Sequence, residues 1–253
     1  MTVTEMLPLW RSSLFVPATS ERFIAKAHLR GADAIKIDLE DAVAPTEKAR
    51  ARTLVPAVAA SVGQAGADVL VRINRPWRMA VADLEASVGA DVNGIVIPKI
   101  ESADHVVFLE EIVAELEAER GLAPGHTCFT LQIETAKGFL NVREIAGASR
   151  RNKAISVGNE DFAHMLGMPE TISEALIGAM QTVQMAAREA GILALGYPGS
   201  IANFSDLDAY RADIARARAL GFDGGSCIHP AQVAILNEGF APTAVEMAEA
   251  EGI

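Results

Sequence analysis

The sequence is poor in the features that would assign it at a glance. Of its 253 residues only Cys128 and Cys227 are cysteines, far apart, each in an apolar segment and neither in a CxxC pair. That spacing excludes a disulfide framework, and each thiol reads as a small buried hydrophobe. The five histidines, His28, His105, His126, His164 and His229, lack HxxxH or mixed Cys/His spacing, so nothing looks like a zinc site. Apolar runs are short. No stretch approaches the roughly 18 to 20 uncharged apolar residues of a membrane span. The opening MTVTEMLPLWRSSLFVPATS has no basic region followed by a long apolar core. The expectation is a soluble, cytoplasmic protein without a membrane partner. Basic charge is also scarce, with 22 Lys+Arg against 33 Asp+Glu and a net charge of −11. The field of such a chain repels nucleic acid, although a local basic pocket for a small anion is compatible with it. Linkers, low-complexity tracts and charge blocks are missing too, which leaves no boundary for a second domain. Residues 1–253 are expected to form one domain, long enough to bury a core with no structural metal.

What the sequence does have is alternation. Short β-branched runs occur at Ser13–Val16, Ala34–Asp38, Val69–Ile73, Gly94–Pro98, Phe129–Ile133, Ala154–Val157, Ala194–Tyr197 and Gly225–Ile228. Between them lie segments with apolar residues three or four apart, such as Ser20–Arg30, Thr46–Ser61, Ala103–Arg120, Thr171–Ala190 and Asp206–Leu220, which read as amphipathic helices. Ala234–Ile253 reads as one last helix with a short polar tail. Strands this continuously apolar are covered on both faces, so the sheet is parallel. Eight repeats favour a closed (β/α)8 TIM barrel over an open doubly wound sheet, and the turn after the first strand reads PATS rather than GxGxxG.

In a parallel barrel, function collects at the C-terminal ends of the strands. Polar groups gather there at seven of the eight ends: Asp38-Leu39-Glu40-Asp41, Arg72-Ile73-Asn74-Arg75, Pro98-Lys99, Glu134-Thr135, Gly158-Asn159-Glu160-Asp161, Tyr197-Pro198 and His229-Pro230. Asp38 and Glu40, two apart, share a face if the strand continues; the alternative is a solvated loop with a helix cap. Arg72 ends a buried run and needs a partner, either a structural carboxylate or the carboxylate of a substrate. Lys99 is either a Schiff-base lysine or a strand-end lysine reaching solvent. Glu134 and Asp161, on adjacent strand tops, make a minimal site for a hard cation such as Mg²⁺, or else a salt bridge to Arg72. His164 reads as a helix-surface residue and His229 as a strand-end residue bonded within the barrel.

Several segments match one family in order along the chain. RSSLFVPATSERFIAKAHLRGADAIKIDLEDAVAPTEKARAR (Arg11–Arg52), VRIN (Val71–Asn74), IPKIES (Ile97–Ser102), QIETAKG (Gln132–Gly138), VGNEDFAHMLG (Val157–Gly167) and CIHPAQV (Cys227–Val233) resemble the citrate lyase β-subunit / malyl-CoA lyase family of Mg²⁺-dependent barrels. The resemblance implies Mg²⁺ on Glu134 and Asp161 and Arg72 on a substrate carboxylate. It also implies an acyl-CoA thioester near the first two βα loops, with Arg11, Pro17 and Lys26 as substrate-binding residues, and a homo-oligomer, a trimer or a multiple of it. Two departures stand out: Met165 replaces a second Asp four residues after the metal-binding one, and the C-terminal lid common in the family, which supplies a catalytic carboxylate, is expected to be missing. The base would then come from the barrel, with Asp38 and Glu40 as candidates. The reaction expected is cleavage of a 3-hydroxyacyl-CoA to acetyl-CoA and a 2-oxo acid, with citramalyl-CoA first and malyl-CoA or a citryl thioester next. The alternatives are a CoA-independent Mg²⁺-dependent pyruvate aldolase or mutase on the same barrel, and a catalytically silent acyl-CoA-binding subunit.

Overall fold

The computed structural model describes residues 7–168 and 173–252. Eight strands alternate with helices: β1 (Ser12–Pro17), β2 (Ala34–Asp38), β3 (Asp68–Arg72), β4 (Gly94–Ile97), β5 (Cys128–Ile133), β6 (Asn152–Val157), β7 (Leu193–Leu195) and β8 (Gly225–Cys227). All pair in parallel in the order β7-β6-β5-β4-β3-β2-β1-β8. The ring closes just ahead of β8. There Leu195 bridges Gly224, Gly196 N–H donates to the Gly224 carbonyl at 2.8 Å, and Asp223 N–H donates to the Ala194 carbonyl at 2.9 Å. Position 224 needs glycine, since a Cβ there would strike the Trp10 carbonyl. The architecture is the expected (β/α)8 barrel. No described helix is long and apolar enough to cross a membrane.

Alternation along each strand sorts its side chains. Ile35, Ile37, Val69, Val71, Ile95, Phe129, Leu131 and Ile155 point outward into the core shared with the helices, each contributing about 1.5–3 kcal/mol by leaving water. Trp10, Ala34, Leu70, Val96, Cys128, Ala154, Leu193 and Leu195 point inward and pack as a separate apolar floor. Both thiols are free and buried, which pushes each up to about 12. On the barrel's underside Arg151 forks onto buried Glu117, with two bonds of 2.7 Å.

Helix ends differ from expectation where caps intervene. The first helix is Glu21–Ala27, shorter than Ser20–Arg30, and the chain turns away at Gly31 with φ 69°. Asp206 is not helical but caps Leu207–Ala219 through the Ala209 N–H. Thr171 and Ile172, expected to open a helix, lie outside the described residues, and the helix described is Ser173–Ala190. The single last helix expected over Ala234–Ile253 is two, Pro230–Gly239 and Ala244–Glu251. Pro242 has no N–H to continue the first, and Thr243 starts the second with a capping box; Ile253 lies outside the described residues.

Candidate active site

The strand ends carry the charge to one place. Pro17, Asp38 and Arg72 stand level across β1, β2 and β3, so parity aims Asp38 and Arg72 into the barrel mouth. Arg72 forks onto Asp38, Nε to Oδ1 at 2.8 Å and Nη2 to Oδ2 at 2.6 Å, and Asp38 also accepts the N–H groups of Glu40 and Ala42. Burial alone would raise the Asp38 carboxyl, but the guanidinium and the two amides outweigh it and hold it below the usual range. Of the two partners left open for Arg72, the structure supplies a carboxylate of its own chain. The third nitrogen, Nη1, points to Glu40 Oε2 at 3.1 Å and Asp41 Oδ2 at 3.4 Å. Glu40 Oε2 is buried and has no aligned hydrogen bond despite that closeness. Burial raises the Glu40 carboxyl against the pull of Arg72 and Lys99.

Lys99 is the hub of the opposite wall. It has φ 50°, a left-handed conformation that a lysine adopts only when its surroundings impose it. That turn brings Nζ to 2.8 Å from Glu40 Oε1, 3.0 Å from Asp161 Oδ2 and 3.7 Å from Glu134 Oε2. Its backbone N–H donates to Glu134 Oε2 at 2.8 Å. Burial disfavours the Lys99 cation, yet Glu134 and Glu40 more than compensate and raise it. Glu134 is 3 % exposed, and burial pushes its carboxyl up to about 8, assisted by Glu40 and Asp161 and opposed by Lys99 and Arg72. A Cβ at Gly158 would stand 2.6 Å from Glu134 Oε1, so glycine there leaves the space the carboxylate occupies. Asp161, on helix Asn159–Met165, is the exposed member of the set.

Asp38, Asp41, Arg72, Glu134 and Asp161 border a cavity of about 710 Å³, with Glu40 and Lys99 packed behind them. Arg72, Glu134 and Asp161 line one part, and Arg22, Phe23, Lys26 and Arg30 line the rim beside the first helix. The basic rim matches the local anion pocket that the overall charge left room for. A hard divalent cation fits the donor set: carboxylate oxygens, one of them in a cradle that position 158 keeps open. No cluster of three or more His, Cys, Asp or Glu suited to a metal occurs among the described residues, in keeping with Mg²⁺ taking one or two protein carboxylates and completing its shell with water and substrate.

The HpcH/HpaI aldolase/citrate lyase family matches residues 11–230. The chain belongs to that family. An L-malyl-CoA/beta-methylmalyl-CoA lyase of Cereibacter sphaeroides is 34% identical to this family member, covering 96% of this chain and 82% of its own. A (3S)-malyl-CoA thioesterase of the same species is 36% identical, over 94% of this chain and 79% of its own. Among solved structures, a citrate lyase beta subunit from M. tuberculosis complexed with oxaloacetate and magnesium superposes with TM-score 0.70 at 28% identity, covering 92% of this chain and 97% of that one. This family member is, like its lyase relatives, an enzyme.

The expected residues of this family member divide by position. Asp38, Glu40, Arg72, Glu134 and Asp161 converge at the mouth, and Pro17 and Lys26 line the same cavity. Arg11 does not reach it. It precedes β1 at the opposite end of the barrel, where its guanidinium and its backbone N–H are bound by Asp33. His229 accepts the Ala231 N–H as a helix cap and stacks on Phe204, 5.0 Å between ring centres; His164 and Met165 are exposed. The sequence reading quoted Gly158 only as part of a strand end and gave no role to Lys36 or Ser226. For Lys36 a signal existed, since a lysine between Ile35 and Ile37 shares the parity of Asp38 and must point inward.

Proposed function

We propose that the protein is a Mg²⁺-dependent carbon–carbon lyase that cleaves a 3-hydroxyacyl-CoA thioester to acetyl-CoA and a 2-oxo acid. Citramalyl-CoA is the first choice of substrate, malyl-CoA or a citryl thioester the next. The reading is carried by one observation: the carboxylates of Glu40, Glu134 and Asp161 meet around one point, Lys99 Nζ, beside Arg72 and at the end of a cavity with a basic rim. The lyase and citrate lyase names among the relatives support it. So does the magnesium in the M. tuberculosis structure.

Glu134 and Asp161 would hold the cation, which when bound supplies Lewis-acid polarisation of the substrate oxygens. Arg72, fixed by its fork on Asp38, presents Nη1 to the substrate carboxylate. Asp38 is fully engaged and held ionised, which leaves Glu40 as the better of the two candidate bases. Its raised carboxyl and unaligned Oε2 suit it to take the hydroxyl proton. The carbon–carbon bond then breaks, and the acyl-thioester enolate released is protonated to acetyl-CoA. The basic rim of Arg22, Lys26 and Arg30 suits the phosphates of CoA. In the cell the enzyme would act in the cytoplasm as a trimer or a multiple of one, with a single barrel domain, as the resemblance implies. The test is acetyl-CoA and pyruvate release from citramalyl-CoA with Mg²⁺ and with excess chelator, for the wild type and Glu134→Ala. Turnover that needs the metal and disappears in the variant is expected. No turnover on any of the three thioesters, while metal and thioester still bind, would refute the reading.

A further inference from the structure

Below the carboxylates the barrel holds a second polar pair outside that chemistry. Lys36, in the middle of β2, is 1 % exposed, and its Nζ lies 2.8 Å from Ser226 Oγ on β8. Among the described residues it makes no salt bridge. The charges that act on it are those of Arg72 on β3, which lowers it, and of the Cys227 thiol, which packs on the outer face of β8 and raises it. The Phe15 ring of β1 lies 5.3 Å from Nζ, and Asp38, on its own strand, is committed to Arg72. Burial first and the Arg72 charge second bring the ammonium down to about 7, so a large share is neutral amine near neutral pH. Ser226 is the exit from this buried nitrogen, because it lines the same cavity as Arg72, Glu134 and Asp161. Gln132 lines that wall as well, and its amide oxygen is buried without a partner.

We propose that Ser226 and Lys36 form a serine–lysine nucleophilic dyad that takes the acyl group of an activated ester or thioester bound in the cavity and hydrolyses it without a metal. The identity of the natural donor as a thioester rests on the function proposed above; the dyad does not. A serine hydroxyl is a weak nucleophile until a neighbouring base accepts its proton, and a desolvated neutral lysine is such a base. With the amine neutral, the 2.8 Å contact lets the hydroxyl donate to Nζ. Ser226 Oγ bonds to the acyl carbon, its proton passes to Nζ, the carbon–sulfur bond breaks, and the thiolate leaves with that proton. Water then attacks the acyl-serine, gives its proton to Nζ, and the carbon–oxygen bond to Ser226 breaks. The proton returns to Oγ and a free acid departs.

The test uses the full chain in excess chelator, with p-nitrophenyl acetate and acetyl-CoA as donors. Leaving-group release is followed together with the mass of the peptide that contains Ser226. One acetyl group on that peptide is expected, at a rate that rises as the pH passes about 7. Ser226→Ala should abolish it, and Ser226→Cys should restore acylation. Lys36→Met should slow it by about a hundredfold or more and flatten the pH profile. No acetyl group on Ser226 from either donor, or unchanged hydrolysis in Ser226→Ala, would overturn the proposal. Acylation by p-nitrophenyl acetate but not by acetyl-CoA upholds the dyad and counts against the thioester reading of the cavity.

Discussion

Replacing Lys36 by methionine should stabilise the protein, and by an amount that depends on pH in a defined direction. The amine is held at about 7 in the fold against an ordinary 10.5, a difference of about 3.5 units, each about 1.4 kcal/mol. Below pH 7 both the folded and the unfolded chain carry the proton, and the full burial cost, about 5 kcal/mol, weighs on the fold. Between about 7 and 10.5 the unfolded chain binds more protons than the folded one, so wild-type stability rises with pH at up to about 1.4 kcal/mol per unit. Above 10.5 the cost is gone. Methionine fills similar volume without a charge and forfeits the bond to Ser226 and the contact of the ammonium with the Phe15 ring, together worth about 1–2 kcal/mol. Lys36→Met should therefore be about 3–4 kcal/mol more stable than wild type at pH 7, with the gain shrinking steadily toward pH 10. Urea denaturation of both proteins from pH 6 to pH 10 measures this directly, and taking the difference cancels the titration of every other group. A gain that does not change with pH, or a loss of stability at pH 7, would refute the account of Lys36 as a desolvated cation.

Gly158→Ala places a methyl group 2.6 Å from Glu134 Oε1, so the carboxylate must swing away. Mn²⁺ titration should show affinity reduced about tenfold or more, with about 1–3 kcal/mol lost from overpacking; unchanged affinity would mean that Glu134 does not hold the cation. Glu117→Ala strands the buried Arg151 guanidinium and should cost about 3–5 kcal/mol in urea denaturation, whereas Glu117→Leu combined with Arg151→Met should recover most of the loss. A single-variant cost below about 1 kcal/mol would show that the pair is not desolvated.

The barrel was legible because strands covered on both faces have no polar alternation to confuse them, and runs such as Ile95–Ile97 and Phe129–Ile133 stand out from the Ala- and Glu-rich helices between. Strand ends were less so. β7 was expected through Tyr197 but stops at Leu195, because Gly196 leaves the strand with φ 150°. The site was legible to the level of which residues meet, since a strand-end position and parity are enough to aim Asp38, Arg72 and Glu134 at one mouth. Which cation takes which carboxylate was not. That choice depends on the left-handed backbone of Lys99 and the empty Cβ position of Gly158, and neither leaves a periodic trace. Arg11 failed for the converse reason: a motif match carries no sign of which end of the strand its residue occupies, and one step before β1 is the wrong end.

Depth within the barrel orders its charges, and the order couples the two chemistries. The floor is apolar, the next level holds Lys36 with no counter-ion among the described residues, and the mouth holds Arg72 and Lys99 among five carboxylates. The Phe15 ring lies between the levels, 4.7 Å from the Arg72 guanidinium carbon and 5.3 Å from Lys36 Nζ, so one aromatic ring serves two cations. Asp38 pairs with Arg72 by direct contact, yet Lys36 still feels the guanidinium as a repulsion. A substrate carboxylate settling on Arg72 would add the missing negative charge between them. Its field would favour the Lys36 ammonium, and an ammonium cannot accept the Ser226 proton. The carboxylate that suits the lyase site thus withdraws the base from the serine, while an acyl group without that carboxylate leaves the amine free. The two proposed chemistries therefore exclude each other on a given substrate, with the charge at Arg72 deciding between them.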